Sequence, residues 1–421
     1  MKKIITVAIL GCGSRGVDSY GKYLAKDERF KVVSGCDIRQ IKLDRMVEVF
    51  GIDRKDLFLD ENDFFLKKRA DVCIIATQDQ DHVRHAIKAL ELGYDLLLEK
   101  PITFSKEECF KLLDAQKKYG GKVLVCHVLR YNPYYRKVYE LIEEGKIGKL
   151  INIDALEQVA FWHQAHSFVR GNWRNSETTS PMILAKCCHD MDLLQWFAGS
   201  KFKSISSFGD LTFFKKENQP EGASDRCQNC KYKDTCAYSA EWDYVTFWKR
   251  CGSAPVWWPG NVVCTDSVMT EEGLRKAYEN SPWYGRCVFA CDNNVVDHQE
   301  TNILFENGVT ASLCMTAFTG EGGRIYRFHG TLGEIDLDEE RAELQIKVFG
   351  KDTETISFNK LGDMVTAGHG GGDLGIINSL YDTVVGKAPA QTALVNSIES
   401  HLMCIAAEES RLKEGEIVKH Q

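Results

Sequence analysis

Gly11, Gly13 and Gly16 stand in the spacing G-x-G-x-x-G, directly after an apolar run at residues 4–10 and directly before a helical pattern. Such a turn cradles phosphates. The first glycine allows the tight bend, the second lets a pyrophosphate approach the backbone, and the third permits close strand–helix packing. Ser14 and Arg15 complete the turn, and the helix start offers free N–H groups to an anion. Asp37 follows about 20 residues beyond Gly16, at the end of the next apolar run, where a carboxylate accepts adenosine ribose hydroxyls and repels a 2′-phosphate. NAD is therefore the expected cofactor, and the nearby Arg39 keeps NADP open. Glu99-Lys100-Pro101 closes another buried-strand run, 94–98, so the lysine stands at the sheet edge where ligands bind in open α/β folds. Cys227-x2-Cys230-x5-Cys236 has a spacing at which thiolates can converge on one tetrahedral ion. A structural zinc is expected there, its fourth ligand open among Cys188, Cys251, Cys264, Cys287 and Cys291. An iron–sulfur cluster and plain free thiols are the other readings.

The elements that must position these residues follow from periodicity. Runs at 4–10, 31–36, 72–76, 96–98 and 122–126 read as strands, separated by helical patterns at 17–25, 41–49, 82–92 and 106–119. That alternation predicts βαβ units, a parallel sheet and a dinucleotide-binding domain over residues 1–126. After a helix at 135–145 the pattern turns to β-type runs at 150–156, 203–208, 299–305, 309–316, 324–330 and 344–348, with one internal helix at 183–198. A second α/β domain with a mostly antiparallel open sheet is expected over 127–392, and a closing helix over 393–421 that packs back on the core. Residues 210–295, rich in Cys, Trp, Asp and Lys, read as an insertion that something must staple.

The 421 residues are enough for two domains, and the hydrophobic fraction of 44% is that of a globular protein. A net charge of −7 without a long basic run argues against a nucleic-acid partner. No segment approaches the ~18 apolar residues of a membrane span. Sixteen scattered cysteines fit a reducing compartment, so a cytoplasmic protein is expected.

Taken together, Gly11–Gly16, Ala76-Thr77 with His82, Glu99-Lys100-Pro101, Arg130-Tyr131-Asn132-Pro133 and His189-Asp190-Met191-Asp192 occur in an order that resembles the Gfo/Idh/MocA oxidoreductases. The resemblance runs over nearly the whole chain, to Ala406-Ala407-Glu408-Glu409-Ser410-Arg411 in the closing helix. It implies NAD(P)-linked hydride transfer at a secondary alcohol of a sugar, polyol or related compound, and a homodimer or homotetramer assembled through the open sheet. It also implies that Ala76, Thr77 and His82 lie along the cofactor, Glu99 near its nicotinamide half, and Lys100 at the reacting centre beside a cis-like Pro101 turn.

Hydride transfer from a carbinol needs a base for the hydroxyl proton. His189 is the candidate, with Lys100 stabilising developing alkoxide charge and Asp190 or Asp192 orienting the imidazole. Where family members often carry an aspartate before this histidine, the chain has Ala185, followed by Lys186, which reads either as a second cation near the substrate or as a surface residue. His127, His166, Arg170 and Trp173 are candidate substrate contacts, as aromatic and cationic side chains are in sugar sites. Gly368-His369-Gly370-Gly371-Gly372-Asp373 could cradle an anion or be a flexible turn with Asp373 as a helix N-cap, and His369 is a candidate substrate contact there. Two further readings share this site: redox-neutral glycoside cleavage through a 3-keto intermediate, and an inactive NAD-binding sensor.

Overall fold

In a computed structural model that describes residues 3–255, 257–264, 269–358 and 368–420, the chain builds two sheets. The first is made of β1 (Ile5–Leu10), β2 (Phe30–Cys36), β3 (Leu57–Phe58), β4 (Val72–Ile75), β5 (Asp95–Leu98) and β6 (Val123–Val125), in the order β3-β2-β1-β4-β5-β6. All its pairings are parallel, and the order reverses between β1 and β4. Strands buried on both faces need near-continuous apolar sequence, which is why ITVAIL, VCII and DLLL read as runs and not as alternations. Ligands in such sheets bind outside the carboxyl strand ends, at the point of reversal. Leu10, Cys36, Ile75 and Leu98 all end there.

The second sheet holds β7 (Leu150–Gln158), β8 (Phe202–Asp210), β9 (His298–Phe305), β10 (Thr310–Thr316), β11 (Gly323–Gly330), β12 (Gly333–Asp338), β13 (Glu343–Val348), β14 (Glu354–Ser357) and β15 (Val418–Lys419). Their order is β14-β13-β12-β11-β7-β10-β9-β8-β15. Among the described residues, only the β7–β10 pairing of this sheet is parallel. Alternation along these strands sends Ile153, Ile303, Leu313 and Phe328 into one core with the helices Cys188–Ala198 and Leu394–Leu412. The other face of the sheet stays open, with Ile151 exposed on it.

Two elements depart from the expected partition. The helix Gly372–Val384, grouped by sequence with the second domain, packs Ile376, Ile377, Leu380 and Tyr381 into the core under β1 and β2. The helix expected at 183–198 is two helices, Met182–Ala185 and Cys188–Ala198, with Lys186 and Cys187 between them. The insertion between β8 and β9 has a small core of its own around Tyr244, Trp248, Leu274 and Tyr278. Among the described residues, no helix is long and apolar enough to cross a membrane.

Candidate active site

The nucleotide loop shows why each glycine is there. Gly11 takes φ +89°, and a Cβ on it would lie 2.3 Å from the Ala76 carbonyl oxygen. A Cβ on Gly16 would lie 2.3 Å from the Gly11 carbonyl oxygen. At Gly13 a Cβ would meet nothing within 4 Å. The first and third positions are thus closed by protein and the second is open, as a loop receiving a pyrophosphate requires. Ser14 opens the helical segment that follows. The carboxylate of Asp37, at the end of β2, accepts the Cys12 and Arg39 N–H groups, each at 2.9 Å, so the loop and this acid hold one another. These residues fit a bound dinucleotide.

Arg15 turns away from the loop. Its Nε lies 2.6 Å from Glu99 Oε1 and its Nη2 3.1 Å from Asp373 Oδ1, and it donates to the Tyr20 hydroxyl, which itself donates to Glu99 Oε1 at 2.6 Å. Burial alone would raise the Glu99 pKa, but Arg15, Tyr20 and Lys100 more than reverse this and leave it below the ordinary value. Ala76 extends β4 by donating to the Leu10 carbonyl at 2.8 Å, and Thr77 Oγ1 pairs with His85 at 3.0 Å. His82 spans the Pro101 carbonyl (2.6 Å) and the Thr77 carbonyl (3.2 Å). It braces the cis Lys100–Pro101 turn against the loop after β4.

Lys100 leaves the end of β5 and its Nζ donates to the Ala185 carbonyl at 3.0 Å. That carbonyl is free to accept because the helix breaks at Lys186. His189, in the first turn of the next helix, keeps Nδ1 buried without a partner. Burial, and then the charges of Lys100, His369 and Arg324, hold the imidazole pKa well below its usual value, so it is neutral at physiological pH. Neither expected carboxylate orients it. Asp190 accepts from Arg324 Nε at 2.7 Å and from the Tyr326 hydroxyl at 2.9 Å, while Asp192 is clamped by Arg130 at 2.7 and 2.8 Å.

The substrate candidates divide. Lys186 is neither a surface residue nor a free cation: its Nζ lies 2.8 Å from Glu157 Oε1, and Arg324 holds the other oxygen at 2.8 Å. Burial pushes Glu157 up to about 7 even so. His127 is fully buried behind His189, ring centroids 6.1 Å apart, and forms the wall and not the surface of the crevice. His166 and Arg170 are anchors of the insertion. His166 Nδ1 pairs with the Tyr244 hydroxyl at 3.0 Å, and Arg170, fully buried, meets Asp243 at 2.7 Å, the Arg286 carbonyl at 2.8 Å and the Tyr238 carbonyl at 2.5 Å. Trp173 Nε1 donates to Asp79 at 3.2 Å, tying the second domain to the loop after β4. His369, exposed at φ +51°, pairs with Asp373 at 3.1 Å. The glycines around it pack on the strand-to-helix segment after β6, where a Cβ on Gly370 or Gly372 would lie 2.4 Å from Asn132 Nδ2 or the Val128 carbonyl. Asp373 is therefore an Arg15 partner and not a helix cap.

The zinc expectation is corrected. Among the described residues, no group of three or more His, Cys, Asp or Glu side chains could hold a metal ion. Cys227, Cys230, Cys236 and Cys287 do line one cavity of about 350 Å³. However, Cys227 Sγ is already engaged by the Ala240 N–H at 3.4 Å and Arg170 Nη2 at 3.7 Å. The buried Arg170–Asp243 pair ties residues 164–170 to the insertion. Sequence reasoning passed over Glu157, Arg324 and Asp243, which carry no local motif and acquire meaning only beside their partners.

A family model described as "Oxidoreductase family, NAD-binding Rossmann fold" matches residues 5–127, and one described as "Oxidoreductase family, C-terminal alpha/beta domain" matches residues 139–365. The chain belongs to the Gfo/Idh/MocA oxidoreductase family. Within that family, the putative oxidoreductase YteT of Bacillus subtilis is 26% identical over 76% of this chain and 73% of its own length. Inositol 2-dehydrogenase of Salmonella typhimurium is 22% identical over 48% of this chain, an alignment that spans only 57% of that enzyme. The Gfo/Idh/MocA fold extends over the whole chain. An Agrobacterium radiobacter oxidoreductase solved with NAD+, L-tartaric acid and magnesium superposes with a TM-score of 0.71, covering 99% of this chain and 98% of its own, at 13% identity. The WlbA dehydrogenase of Chromobacterium violaceum, in complex with NADH and UDP-GlcNAcA, gives 0.67 at 16% identity, covering 100% and 97%.

Proposed function

We propose that the chain is an NAD-dependent dehydrogenase acting on a secondary alcohol of a sugar, polyol or sugar derivative. The observation that carries this reading is the Lys100–Ala185 contact, which brings an ammonium from the end of β5 to the helix break just ahead of His189. The glycine loop and Asp37 would hold the dinucleotide, and the Asp37 carboxylate favours a free ribose 2′-hydroxyl over a phosphate. Bound NAD would take up or return the hydride. Lys100 would donate a hydrogen bond to the reacting oxygen and stabilise alkoxide charge as it develops. His189, kept neutral by burial, is in the state that can accept the hydroxyl proton. The names of the inositol and nucleotide-sugar relatives support the carbohydrate class, and the open face of the nine-stranded sheet supports a homodimer or homotetramer.

The test is NADH formation from NAD with a panel of myo-inositol, D-glucose, D-glucuronate and their methyl glycosides. Turnover of at least one supports the reading, and NAD binding without turnover of any overturns it in favour of a sensor. A second reading has one observation in its favour, the His369–Asp373 pair, whose imidazole centroid lies 6.0 Å from that of His189. Two imidazoles suit a redox-neutral cleavage, in which oxidation at C3 acidifies the C2 proton, elimination expels the aglycone and the bound hydride is returned. Release of nitrophenol from a nitrophenyl glycoside at constant NADH would select that reading.

A further inference from the structure

Glu157 reaches both sides of the helix break ahead of His189. On β7 the inward row runs Ile153, Ala155, Glu157, and the register sets Phe328, Tyr326 and Arg324 of β11 opposite them, all six buried. The two rows are uncharged over the core and turn ionic together at their last inward position. There the carboxylate divides its oxygens. Oε1 lies 2.8 Å from Lys186 Nζ and Oε2 lies 2.8 Å from Arg324 Nη2. Arg324 Nε in turn lies 2.7 Å from Asp190 Oδ1, which also accepts the Tyr326 hydroxyl at 2.9 Å. Lys186 directly follows Ala185, and Asp190 directly follows His189. One carboxylate on a sheet strand therefore holds the near side of the break directly and the far side through Arg324.

The break has little of its own to hold it. Met182–Ala185 is a single turn, in which the Leu184 and Ala185 N–H groups both donate to the Pro181 carbonyl at 2.9 Å and the Lys186 N–H donates to the Met182 carbonyl at 3.0 Å. So short a helix is not stable by itself, and its direction is set by what grips its ends. That direction aims the Ala185 carbonyl, which accepts from Lys100 Nζ at 3.0 Å. Stability alone is a poor reason for ionic groups at this place, because apolar residues of similar volume commonly hold a core as well as a buried ion pair does.

We propose that Glu157 is a positioning residue for hydride transfer: through Lys186 and Arg324 it fixes the helix break, and so sets where Lys100 and His189 stand relative to one another. The proposal rests on the dehydrogenase reading of the site. It makes Lys186 a tether for the Ala185 carbonyl in place of a cation for the substrate.

The experiment compares the full-length wild type with Glu157→Gln, Lys186→Met, Lys186→Arg and the double variant Glu157→Gln/Lys186→Met on myo-inositol, D-glucose and D-glucuronate, with NAD affinity and melting temperature measured alongside. Lys186→Met keeps the Glu157–Arg324 pair, so it reports on the tether even where Glu157→Gln folds poorly. For each of these two single variants the expected result is a kcat lower by about 10- to 100-fold, with KM and NAD affinity within about threefold of wild type. The double variant should be no worse than the poorer single one, because both act through one contact. Lys186→Arg, which keeps the cation, should recover most of what Lys186→Met loses. A kcat within about twofold of wild type in Lys186→Met would overturn the proposal and leave the dehydrogenase reading intact. A loss carried by KM alone would also overturn it, by making Lys186 a substrate contact. Additive losses that track a falling melting temperature and NAD affinity would overturn it by making the cluster structural. A wild type that turns over nothing in the panel would overturn the dehydrogenase reading and the positioning role with it.

Discussion

Lys100 Nζ and the Ala185 carbonyl oxygen are 3.0 Å apart, and this contact ties the carboxyl edge of the first sheet to the helix pair that carries His189. The position where family members often hold an aspartate contributes here through its backbone, since an alanine side chain offers no acceptor. Lys100→Ala removes both the tether and the proposed oxyanion donor. A fall in kcat of roughly 10²–10³ is expected, with NAD affinity within about twofold of wild type. Steady-state kinetics and a cofactor titration check it; an active variant would remove Lys100 from the mechanism.

Gly13 and Gly11 separate binding from folding. Gly13 has φ −82° and open space around its Cβ position, so Gly13→Ala should leave the melting temperature of the free protein nearly unchanged while weakening NAD binding. Gly11→Ala puts a methyl 2.3 Å from the Ala76 carbonyl oxygen at φ +89° and should lower stability outright. Thermal melts with and without NAD distinguish the two. Equal melting temperatures for the free variants would contradict this division.

Arg170→Met leaves Asp243 buried without a counter-ion, and Asp243 is already pushed up to about 7 by burial that Arg170 only partly offsets. Loss of such a partner costs ~3–5 kcal/mol. The effect should be local. Hydrogen exchange is expected to speed up across residues 210–295, NAD affinity should hold, and adding Asp243→Asn should recover part of the loss. Protection of the insertion unchanged from wild type would show that something else staples it.

His401 is neutral with a defined tautomer, because Nε2 accepts the Ile102 N–H at 2.8 Å and Nδ1 donates to the Ser397 carbonyl at 2.8 Å. Burial, and next the neighbouring His127, lowers its pKa from 6.5 to about 3; burial and then Arg170 lower His166 likewise to about 3. Between these values the unfolded chain binds a proton that the folded chain refuses, so stability falls as pH drops below 6.5 and continues falling to about 3. At pH 5 one such group costs about 2 kcal/mol. Denaturant midpoints from pH 7.5 to 5 should decline, and less steeply in His401→Gln, which cannot titrate. A flat profile would mean that these imidazoles are not kept neutral.

Much of this was readable in the chain because it is encoded locally. A strand buried on both faces must be a continuous apolar run, a nucleotide turn must have glycine where a Cβ would strike a carbonyl, and Lys100 sits at a strand end because the run before it stops there. These features pointed to a Rossmann domain, the cofactor loop, Asp37 and the place of Lys100 at a strand end, whereas His189 was singled out only through the family resemblance. The partners of charged side chains are different in kind. Arg170 and Asp243, Arg324 and Asp190, or Arg15 and Asp373 are far apart in sequence, and their types suit a substrate site as well as a buried ion pair. Only the packing of the insertion on residues 164–170, of β11 against β7, and of the Gly372–Val384 helix on the first sheet decided which charges neutralise one another and which remain for chemistry. The same packing broke a helix at Lys186 that periodicity alone would have continued, and so freed the carbonyl that Lys100 uses.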